Sequence, residues 1–287
     1  MVLQGIITGI IIGGVLSLPV MGVALIYGVT GILNYSIATI GTFGVFVTWM
    51  LWSSVGMLPS ILAGLLTSFI LGFGIQHFLL NPLVNRKGND LTLFFIITFG
   101  IATVFSGLTK IIFPRPTISI DLQKIGTLFI GNVALDVSKL IAILIALFVL
   151  FSMRVLEKTT KTGKSWVATS QNLKMAKLVG INVGFVFSLV SGIGYTLGFI
   201  GALFWGVLYN LTVITGWDLC FLGYIIAIVG GIGNIWGGMV SALIMGIVIS
   251  FAGYWLGGMW QSVVLYAILL IILILAPKGI LGSERSV

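Results

Sequence analysis

Long apolar segments separated by short polar ones run through almost the whole chain. The apolar runs lie near 3–27, 37–56, 58–80, 92–113, 137–153, 183–209, 219–234, 237–256 and 260–276. A helix needs about 20 mostly apolar residues to cross a bilayer, so the pattern predicts an all-α, polytopic transmembrane bundle of about eight or nine spans. The run 219–234 is short and rich in glycine. It could cross the membrane, or enter and leave on the same side.

One stretch, 154–182, interrupts this pattern because six basic residues accompany a single acid there. The basic residues are Arg154, Lys158, Lys161, Lys164, Lys174 and Lys177, and the acid is Glu157. A lysine or arginine at the bilayer centre costs about 2.5–3.5 kcal/mol even on lenient insertion scales. The stretch is therefore predicted to be a loop, and its positive charge places it in the cytoplasm.

This placement orients the rest of the chain. With 154–182 inside, the segment 114–136 is predicted to be an external loop, and the loop 81–91 is internal. The C-terminus, with Lys278 and Arg285, returns to the cytoplasm. The N-terminus is external if the first two apolar runs both cross. The chain is then a single membrane domain from its first residue to its last.

The composition supports a membrane protein. Mean hydropathy is +1.24, and only 7% of the residues are charged, whereas about a quarter are charged in a soluble domain. The net charge of +8 comes mainly from loops that flank membrane segments, so it indicates topology rather than nucleic-acid binding. We expect a multi-pass protein of the cell membrane, surrounded by lipid and without a nucleic-acid partner.

The acidic residues argue against ion-driven transport. All six lie in predicted loops or near span ends: Asp90, Asp121, Asp136, Glu157, Asp218 and Glu284. A carboxylate inside the membrane is the usual carrier of protons or sodium. Because the predicted spans contain none, the sequence argues against proton-driven transport and redox proton pumping.

No enzyme or metal site is apparent in the sequence. One histidine, His77, and one cysteine, Cys220, are too few to hold a haem or a metal ion. The tripeptide 163–165 resembles the end of a phosphate-binding loop, but the glycine required five residues earlier is Lys158 and no buried strand precedes it. We therefore predict no catalytic residues, no metal and no cofactor.

Small residues recur at four-residue spacing in three of the apolar runs. The stripes are Gly5, Gly9 and Gly13; Gly194, Gly198 and Ala202; and Gly238, Ala242, Gly246 and Ser250. Lipid gives helices no hydrophobic reason to associate, so close packing through small residues supplies the attraction. Such stripes are common in multi-span proteins. They predict a compact bundle and leave open an interface with another subunit.

Within the basic stretch, 164–179 is predicted to be one short amphipathic helix that stops at Gly180. Its apolar stripe comprises Val167, Ala168, Gln171, Met175, Leu178 and Val179, and it leaves out Trp166 and Leu173. Two interpretations remain open on pattern alone. The helix could rest on the membrane surface, or it could fit into the groove of a partner.

Four stretches, in order along the chain, carry a resemblance to a known family. They are ALIYGV at 24–29 with ILNYS at 32–36; TG at 162–163 with Ala168, QN at 171–172, Ala176 and LVGINV at 178–183; VGGIGNIWGG at 229–238; and APKGILG at 276–282. Together they resemble the permeases of branched-chain amino acid ABC transporters. Each stretch is weak evidence alone, but the ordered set covers nearly the whole chain.

The resemblance implies one of two membrane subunits of an ATP-driven importer for branched-chain, aliphatic amino acids. It implies a second, related permease, an external solute-binding protein and two cytoplasmic ATPase subunits. In the family, the cytoplasmic segment touches the ATPases. The matching positions here are Gly163, Ala168, Gln171, Asn172, Ala176, Leu178, Gly180, Ile181 and Asn182. This cytoplasmic coupling helix would lie between the fifth and sixth spans.

The translocation path is expected near small polar and helix-breaking positions. The first candidates are Asn34, Tyr35, Ser36 and Thr39, and the second are Gly230, Gly231, Gly233 and Asn234. Polar side chains in hydrocarbon are costly unless they face a cavity or a neighbouring helix. The alternative is that Asn34 and Ser36 only pack against another helix. Trp217 and Asp218 are placed at an outer mouth, where an ordinary interfacial role is the alternative.

The chain departs from the family at several positions. After the asparagine the family usually has Phe, Ala, His and Gly, whereas this chain has Tyr35, Ser36, Ile37 and Ala38. Family arginines in the coupling region are largely replaced by Lys164, Ser165 and Trp166. These changes indicate a divergent member. Related permeases carry urea, short amides or sugars. A passive facilitator for a small neutral solute and a non-transporting scaffold subunit are the rival hypotheses.

Overall fold

A computed structural model describes residues 2–87, 90–120, 126–130, 133–276 and 279–281. Several positions named in the sequence analysis lie outside these ranges, namely Asp121, Pro277, Lys278, Gly282, Glu284 and Arg285.

The described chain is built almost entirely of helices, which confirms the predicted all-α class. The helices are α1 (Val2–Thr30), α2 (Ile37–Val55), α3 (Met57–Gly74), α4 (Asn81–Lys87), α5 (Leu91–Ile112), α6 (Val137–Thr159), α7 (Lys161–Gln171), α8 (Leu173–Leu178), α9 (Val183–Leu208), α10 (Thr215–Gly230), α11 (Ile235–Trp255) and α12 (Trp260–Leu275). A π-helical segment, Ile75–Leu80, joins α3 to α4. Four short strands, β1 (Thr117–Ile118), β2 (Thr127–Ile130), β3 (Val133–Asp136) and β4 (Leu211–Thr212), complete the fold.

Seven helical segments within the described residues are long and apolar enough to cross a membrane. They are Val2–Thr30, Ile37–Val55, Met57–Val84, Leu91–Ile112, Leu140–Thr159, Val183–Leu208 and Ile235–Trp255. Helices α10 and α12 are apolar but have only 16 residues each. The described residues therefore contain seven helices long enough to span, fewer than the predicted eight or nine, together with these two shorter apolar helices.

Helix α1 lies at the centre of the bundle and packs against α6, α9, α10 and α11. Every residue from 11 to 26 is buried. A helix that is hydrophobic on all sides has no face to present to water, so it is stable in the core or in lipid. Pro19 lies inside this helix, where neighbouring helices can satisfy the freed backbone groups.

The small-residue stripes hold the helices of this chain together. A methyl group added at Gly9 would lie 2.5 Å from the Cα of Ile247, and one at Gly13 would lie 2.8 Å from the Cα of Leu243. The stripe of α1 is thus pressed against that of α11, in antiparallel directions. The stripe of α9 packs in the same way on α1 and α2, since a methyl at Gly194 would meet Ile26 at 2.6 Å. The prediction of a compact bundle is confirmed.

The bundle has two distinct ends. At the ribbon end, β1 pairs antiparallel with β4, with Ile118 opposite Leu211. At the other end, which we call the α7 end, Trp166 and Gly233 line one cavity. Helix α10 starts just after β4 and leads to Gly233 at the α7 end, but Cys220 near its start already contacts the carbonyl of Tyr35. The run 219–234 therefore reaches the α7 end without crossing the full depth of the bundle.

The two described termini lie at opposite ends. Gly5 packs against Phe251, near the last residues of α11 at the ribbon end. At the α7 end, the backbone N–H of Ile280 donates to the carbonyl of Val229 at 2.8 Å. The last described residues and the basic stretch are therefore at the same end, as the predicted topology requires.

The segment predicted as an external loop, 114–136, contains strands that the sequence pattern did not indicate. Helix α5 ends at Ile112, two residues before Pro114, as expected for a proline that stops a helix. The chain then supplies β1 and the β2–β3 hairpin, in which Thr127 pairs with Asp136. Ribbon pairing between β1 and β4 ties this segment to the chain that follows α9.

Candidate functional site

The first candidate region is the break between α1 and α2. Helix α1 ends at Thr30, and Gly31 adopts φ = 71°, a left-handed conformation that favours glycine. The chain then turns back into the bundle until Asn34 reaches Tyr195, near the middle of α9. Because the ends of α9 lie at opposite ends of the bundle, the break lies at about half its depth.

Asn34 is the centre of a buried polar network. Its Nδ2 donates to the Tyr195 hydroxyl at 2.9 Å, and its Oδ1 accepts from the Ser36 hydroxyl at 2.7 Å. The hydroxyls of Ser36 and Tyr195 are also hydrogen-bonded to each other. The backbone N–H of Asn34 donates to the Tyr224 hydroxyl at 2.6 Å. All these groups are buried, so the network satisfies polar atoms that would otherwise be costly in a membrane.

This geometry matches the alternative stated for Asn34 and Ser36, which pack and hydrogen-bond against neighbouring helices. A direct role for them in a translocation path remains a prediction. Thr98 of α5 supports the break from the other side. Its hydroxyl accepts from the N–H of Tyr35 at 3.3 Å and lies 3.1 Å from the carbonyl of Leu33, to which it can donate. The break is thus held by α5, α9 and α10.

Tyr35 is half-buried and leads outward from this network. Its ring stacks on Tyr224, with 4.5 Å between centroids, and meets Phe95 and Phe221 edge-on at 5.0 and 5.7 Å. Phe99 and Trp217 extend the cluster at 4.7 Å from each other. We call Tyr35, Phe95, Phe99, Trp217 and Phe221 the aromatic patch.

The aromatic patch reaches the surface of the chain at Phe95, Phe99 and Phe221. Sequence reasoning found only Tyr35 and Trp217 of its members. The sequence signal for the others was the four-residue spacing of aromatics. This spacing puts Phe95 and Phe99 on one face of α5, and Trp217 and Phe221 on one face of α10. Asp218, next to Trp217, is exposed in the first turn of α10.

Thr39 lies on the face of α2 that packs against α10. A methyl group added at Gly216 would lie 2.7 Å from its Cα. The hydroxyls of Thr39, Thr42 and Ser68 are buried without a hydrogen-bond partner among the described residues. Buried hydroxyls are normally paired, so these three are among the buried polar groups that the described residues leave without a contact.

The second candidate group lies elsewhere, at the α7 end. Gly231 and Gly233 have φ values of 100° and 88°, which only glycine adopts easily. Gly230 packs against the backbone of Gly237. Asn234 caps α11, because its Oδ1 accepts from the N–H groups of Trp236 and Gly237. The structure therefore does not bring this group together with Asn34.

Two of the motif stretches touch each other at this end. The Nδ2 of Asn234 donates to the carbonyl of Leu281 at 2.7 Å, and Ile280 bonds to Val229. A methyl group on Gly279 would lie 2.6 Å from the Cα of Gly231. The described part of the stretch 276–282 therefore braces the glycine-rich turn 229–238.

The coupling segment differs from its prediction in two ways. The single helix over 164–179 is wrong, because Asn172 adopts φ = −152°, ψ = 105° and separates α7 from α8. Its Oδ1 accepts from the N–H of Met175 at 3.0 Å and so starts a new helix. The predicted faces also change. Trp166 is only 3% exposed and packs on the bundle with Leu173, although both were left out of the apolar stripe.

Met175, Leu178 and Val179, which we call the α8 tip, point away from the bundle. They are 55%, 79% and 71% exposed, with exposed Lys174 and Lys177 beside them. Gly180 follows with φ = 84° and ends the segment, which confirms the predicted stop.

The remaining candidate coupling residues position this tip. A methyl group on Gly163 would lie 2.7 Å from the Cα of Glu157, so α7 crosses the end of α6 in close contact. Ala176 is buried under α8, and Asn182 caps α9 by accepting from the N–H of Phe185. Ala168 and Ile181 are half-buried, whereas Gln171 and Asn172 are exposed.

Comparison with known proteins identifies the family of the chain. Residues 5–273 match the family model described as branched-chain amino acid transport system / permease component. The chain is 24% identical to the high-affinity branched-chain amino acid transport system permease protein BraD of Pseudomonas aeruginosa. It is 23% identical to the corresponding permease protein LivH of Salmonella typhimurium and of Escherichia coli K12. Each alignment covers 99% of this chain and 96% of the relative.

No solved structure matches the chain significantly. The family match covers far more than half of the chain, and the relatives are permease proteins rather than enzymes. With its apolar helices and its exposed α8 tip, this membrane bundle belongs to the family of permease components of branched-chain amino acid transport systems.

Proposed function

We propose that the chain is a membrane subunit of an ATP-driven importer of branched-chain, aliphatic amino acids. An external solute-binding protein delivers the substrate, and two cytoplasmic ATPase subunits drive the cycle. The observation that carries this proposal is the α8 tip. Three large apolar side chains project from a short, capped helix beside lysines, and such a shape suits insertion into a groove of a soluble partner.

The charges support a cytoplasmic α7 end. The basic stretch 154–182 lies there, and an excess of lysine and arginine favours the cytoplasmic side. The C-terminus then lies in the cytoplasm of a multi-pass cell-membrane protein, and the ribbon end faces outward. In this orientation the β1–β4 ribbon is available to the binding protein.

The aromatic patch beside the break supports a second, related permease subunit. The break itself is paired within the chain, whereas a contiguous exposed apolar patch is typical of an interaction site. The half-buried Tyr35 and the aromatic patch lie on the outer side of this break. We infer that a second subunit covers the patch and that the translocation path runs along it, with Asn34, Ser36 and Thr39 positioning Tyr35.

The members of the patch suggest the class of substrate. They offer aromatic surfaces and the Tyr35 hydroxyl but no charged side chain. Aliphatic side chains pack well on such surfaces, whereas a highly charged solute would lose its hydration without gaining a charged partner. Leucine, isoleucine and valine fit this chemistry.

The test is ATP-dependent uptake of radiolabelled leucine by membrane vesicles that contain the chain and its partners. Replacing Leu178 with aspartate should abolish uptake and the co-purification of ATPase subunits, because a charge replaces an apolar anchor at the tip. The matched control is Lys161→Asp, which adds the same side chain at an exposed site at the start of α7. We expect this control to retain uptake.

Two results would contradict the proposal. If Leu178→Asp transports leucine as fast as the parent, the tip has no coupling role. If the parent moves solute without ATP and is purified without ATPase subunits, the chain is a passive facilitator.

A further inference from the structure

A cavity of about 280 Å³ opens at the α7 end of the bundle. It lies between the last turns of α1, the bundle-facing side of α7, and the glycine-rich turn that leads into α11. Leu25 and Val29 line it from α1, and Trp166 and Ser170 line it from α7. Ile232 lines it from the glycine-rich turn. A molecule in this cavity would therefore touch both the central helix and the coupling segment.

Two opposite charges lie side by side at this cavity. Glu157 lines it, and its Oε2 accepts from Nη1 of Arg154 at 3.0 Å. The Arg154 guanidinium also lies 4.8 Å from the ring centroid of Trp236, another lining residue. The second oxygen of the Glu157 carboxylate can accept from an ammonium group, and the guanidinium can donate to a carboxylate.

The two lining tryptophans have unused donors. The Nε1 atoms of Trp166 and Trp236 are buried without a hydrogen-bond partner among the described residues. Buried N–H groups are normally paired. The Ser170 hydroxyl already donates to the carbonyl of Val167 and can only accept from a ligand.

Apart from two glycines and Asn234, whose side chain is already hydrogen-bonded to Leu281, Trp236 and Gly237, the rest of the lining is aliphatic. The cavity is slightly smaller than typical pockets for drug-sized ligands, which begin near 300 Å³. A small molecule that combines an ammonium group, a carboxylate and a short aliphatic side chain satisfies all of these features. A purely anionic ligand would meet the carboxylate of Glu157.

We propose that this cavity is a cytoplasmic binding site for a free aliphatic amino acid, and that its occupancy slows import. This inference rests on the proposed function, since the ligand is then the imported product. A bound amino acid would hold α7 against α1 and the turn 231–234, so the coupling segment could not move relative to the central helix. The importer would thereby respond to the internal concentration of its product.

The experiment uses sealed vesicles that contain the complete transporter, with ATP and unlabelled leucine or glycine enclosed. The initial rate of labelled leucine uptake is measured from outside. Internal leucine should slow the parent, whereas glycine, which lacks an aliphatic side chain, should not. In Glu157→Gln, about tenfold more internal leucine should be needed, because a charged hydrogen bond to the ammonium group is lost.

The matched control is Lys158→Gln, which removes a neighbouring charge from an exposed side chain that does not line the cavity. It should respond like the parent. The inference is overturned if internal leucine leaves the parent rate unchanged, or if Glu157→Gln is slowed at the same concentrations as the parent.

A calorimetric titration separates this inference from the proposed function. If no vesicle preparation takes up leucine, the proposed function fails, but leucine can still be titrated into the purified chain. Binding that Glu157→Gln weakens about tenfold would support the site. No binding to the parent would overturn it, as would binding of soluble phosphoethanolamine, the headgroup of a zwitterionic lipid, in place of leucine.

Discussion

The helix break at Asn34 and the α8 tip use polar and apolar groups in opposite ways. At the break, polar side chains are buried and paired with one another in the middle of an apolar bundle. At the tip, apolar side chains project from a polar segment and have no cover. A buried polar group raises the free energy unless it is hydrogen-bonded, and an exposed cluster of apolar groups does so unless another surface covers it. The break has its partners within the chain, so it is part of the fold, whereas the exposed side chains of the tip are proposed to meet a partner from outside.

This comparison predicts that substitutions at the break lower stability and that substitutions at the tip lower transport only. The purified chain, unfolded in mixed micelles, gives the free energy of unfolding, and vesicle uptake gives transport.

The largest loss of stability is expected for Asn34→Leu. The substitution removes the acceptor of the Ser36 N–H and of one hydroxyl hydrogen, because the hydroxyls of Ser36 and Tyr195 can then bond only to each other. Each unpaired buried group costs about 1–3 kcal/mol. We expect a loss of about 2–4 kcal/mol in mixed-micelle unfolding. A stability equal to that of the parent would show that the network does not hold the break.

A smaller loss is expected for Gly163→Val. The new side chain would overlap the backbone of α6 at Glu157, so α7 must shift, at a cost of about 1–3 kcal/mol. Uptake should fall as well, because the tip moves with α7. Thr162→Val is the control, since the side chain of Thr162 is exposed and the close contact with α6 is made by Gly163. Equal results for the two variants would refute the close packing.

Tyr195→Phe should cost about 1 kcal/mol, because Asn34 and Ser36 can still bond to each other after the hydroxyl is lost. Tyr35→Phe is the comparison within the same region. Its ring packing in the aromatic patch is kept, so its stability should stay within about 0.5 kcal/mol of the parent. If Tyr35→Phe lowers the free energy of unfolding more than Tyr195→Phe does, the hydrogen bonds of Tyr195 do not stabilise the break as described.

The smallest change in stability is expected for Leu178→Asp. The side chain is 79% exposed, so the free energy of unfolding should change by no more than about 0.5 kcal/mol. Uptake should nevertheless be lost. A matching loss of stability would mean that the tip belongs to the fold of the isolated chain, and the contrast with the break would disappear.

Several features were predictable from the sequence for local reasons. The apolar runs 92–113 and 183–209 became Leu91–Ile112 and Val183–Leu208, because span length follows from continuous hydrophobicity. Gly180 stopped the coupling segment because only glycine adopts its positive φ easily. Small-residue spacing predicted close helix packing, although it could not name the partner helix.

Other features depended on contacts between distant parts of the chain. The break at Asn172 was missed because a helical projection cannot show that an asparagine side chain caps the following turn. The same projection placed Trp166 on the wrong face, since the neighbours of α7 come from α1 and α6.

The sequence by itself determined that the chain is a helical membrane protein, where several of its long apolar helices lie, and which family it resembles. These properties follow from local hydrophobicity, charge and motif order. Only the tertiary structure decided that Asn34 meets Tyr195, that the glycine-rich turn lies far from the break, and that Met175, Leu178 and Val179 remain uncovered. Such pairings depend on how antiparallel helices align in depth and rotation, and periodicity along one helix contains no information about its neighbour.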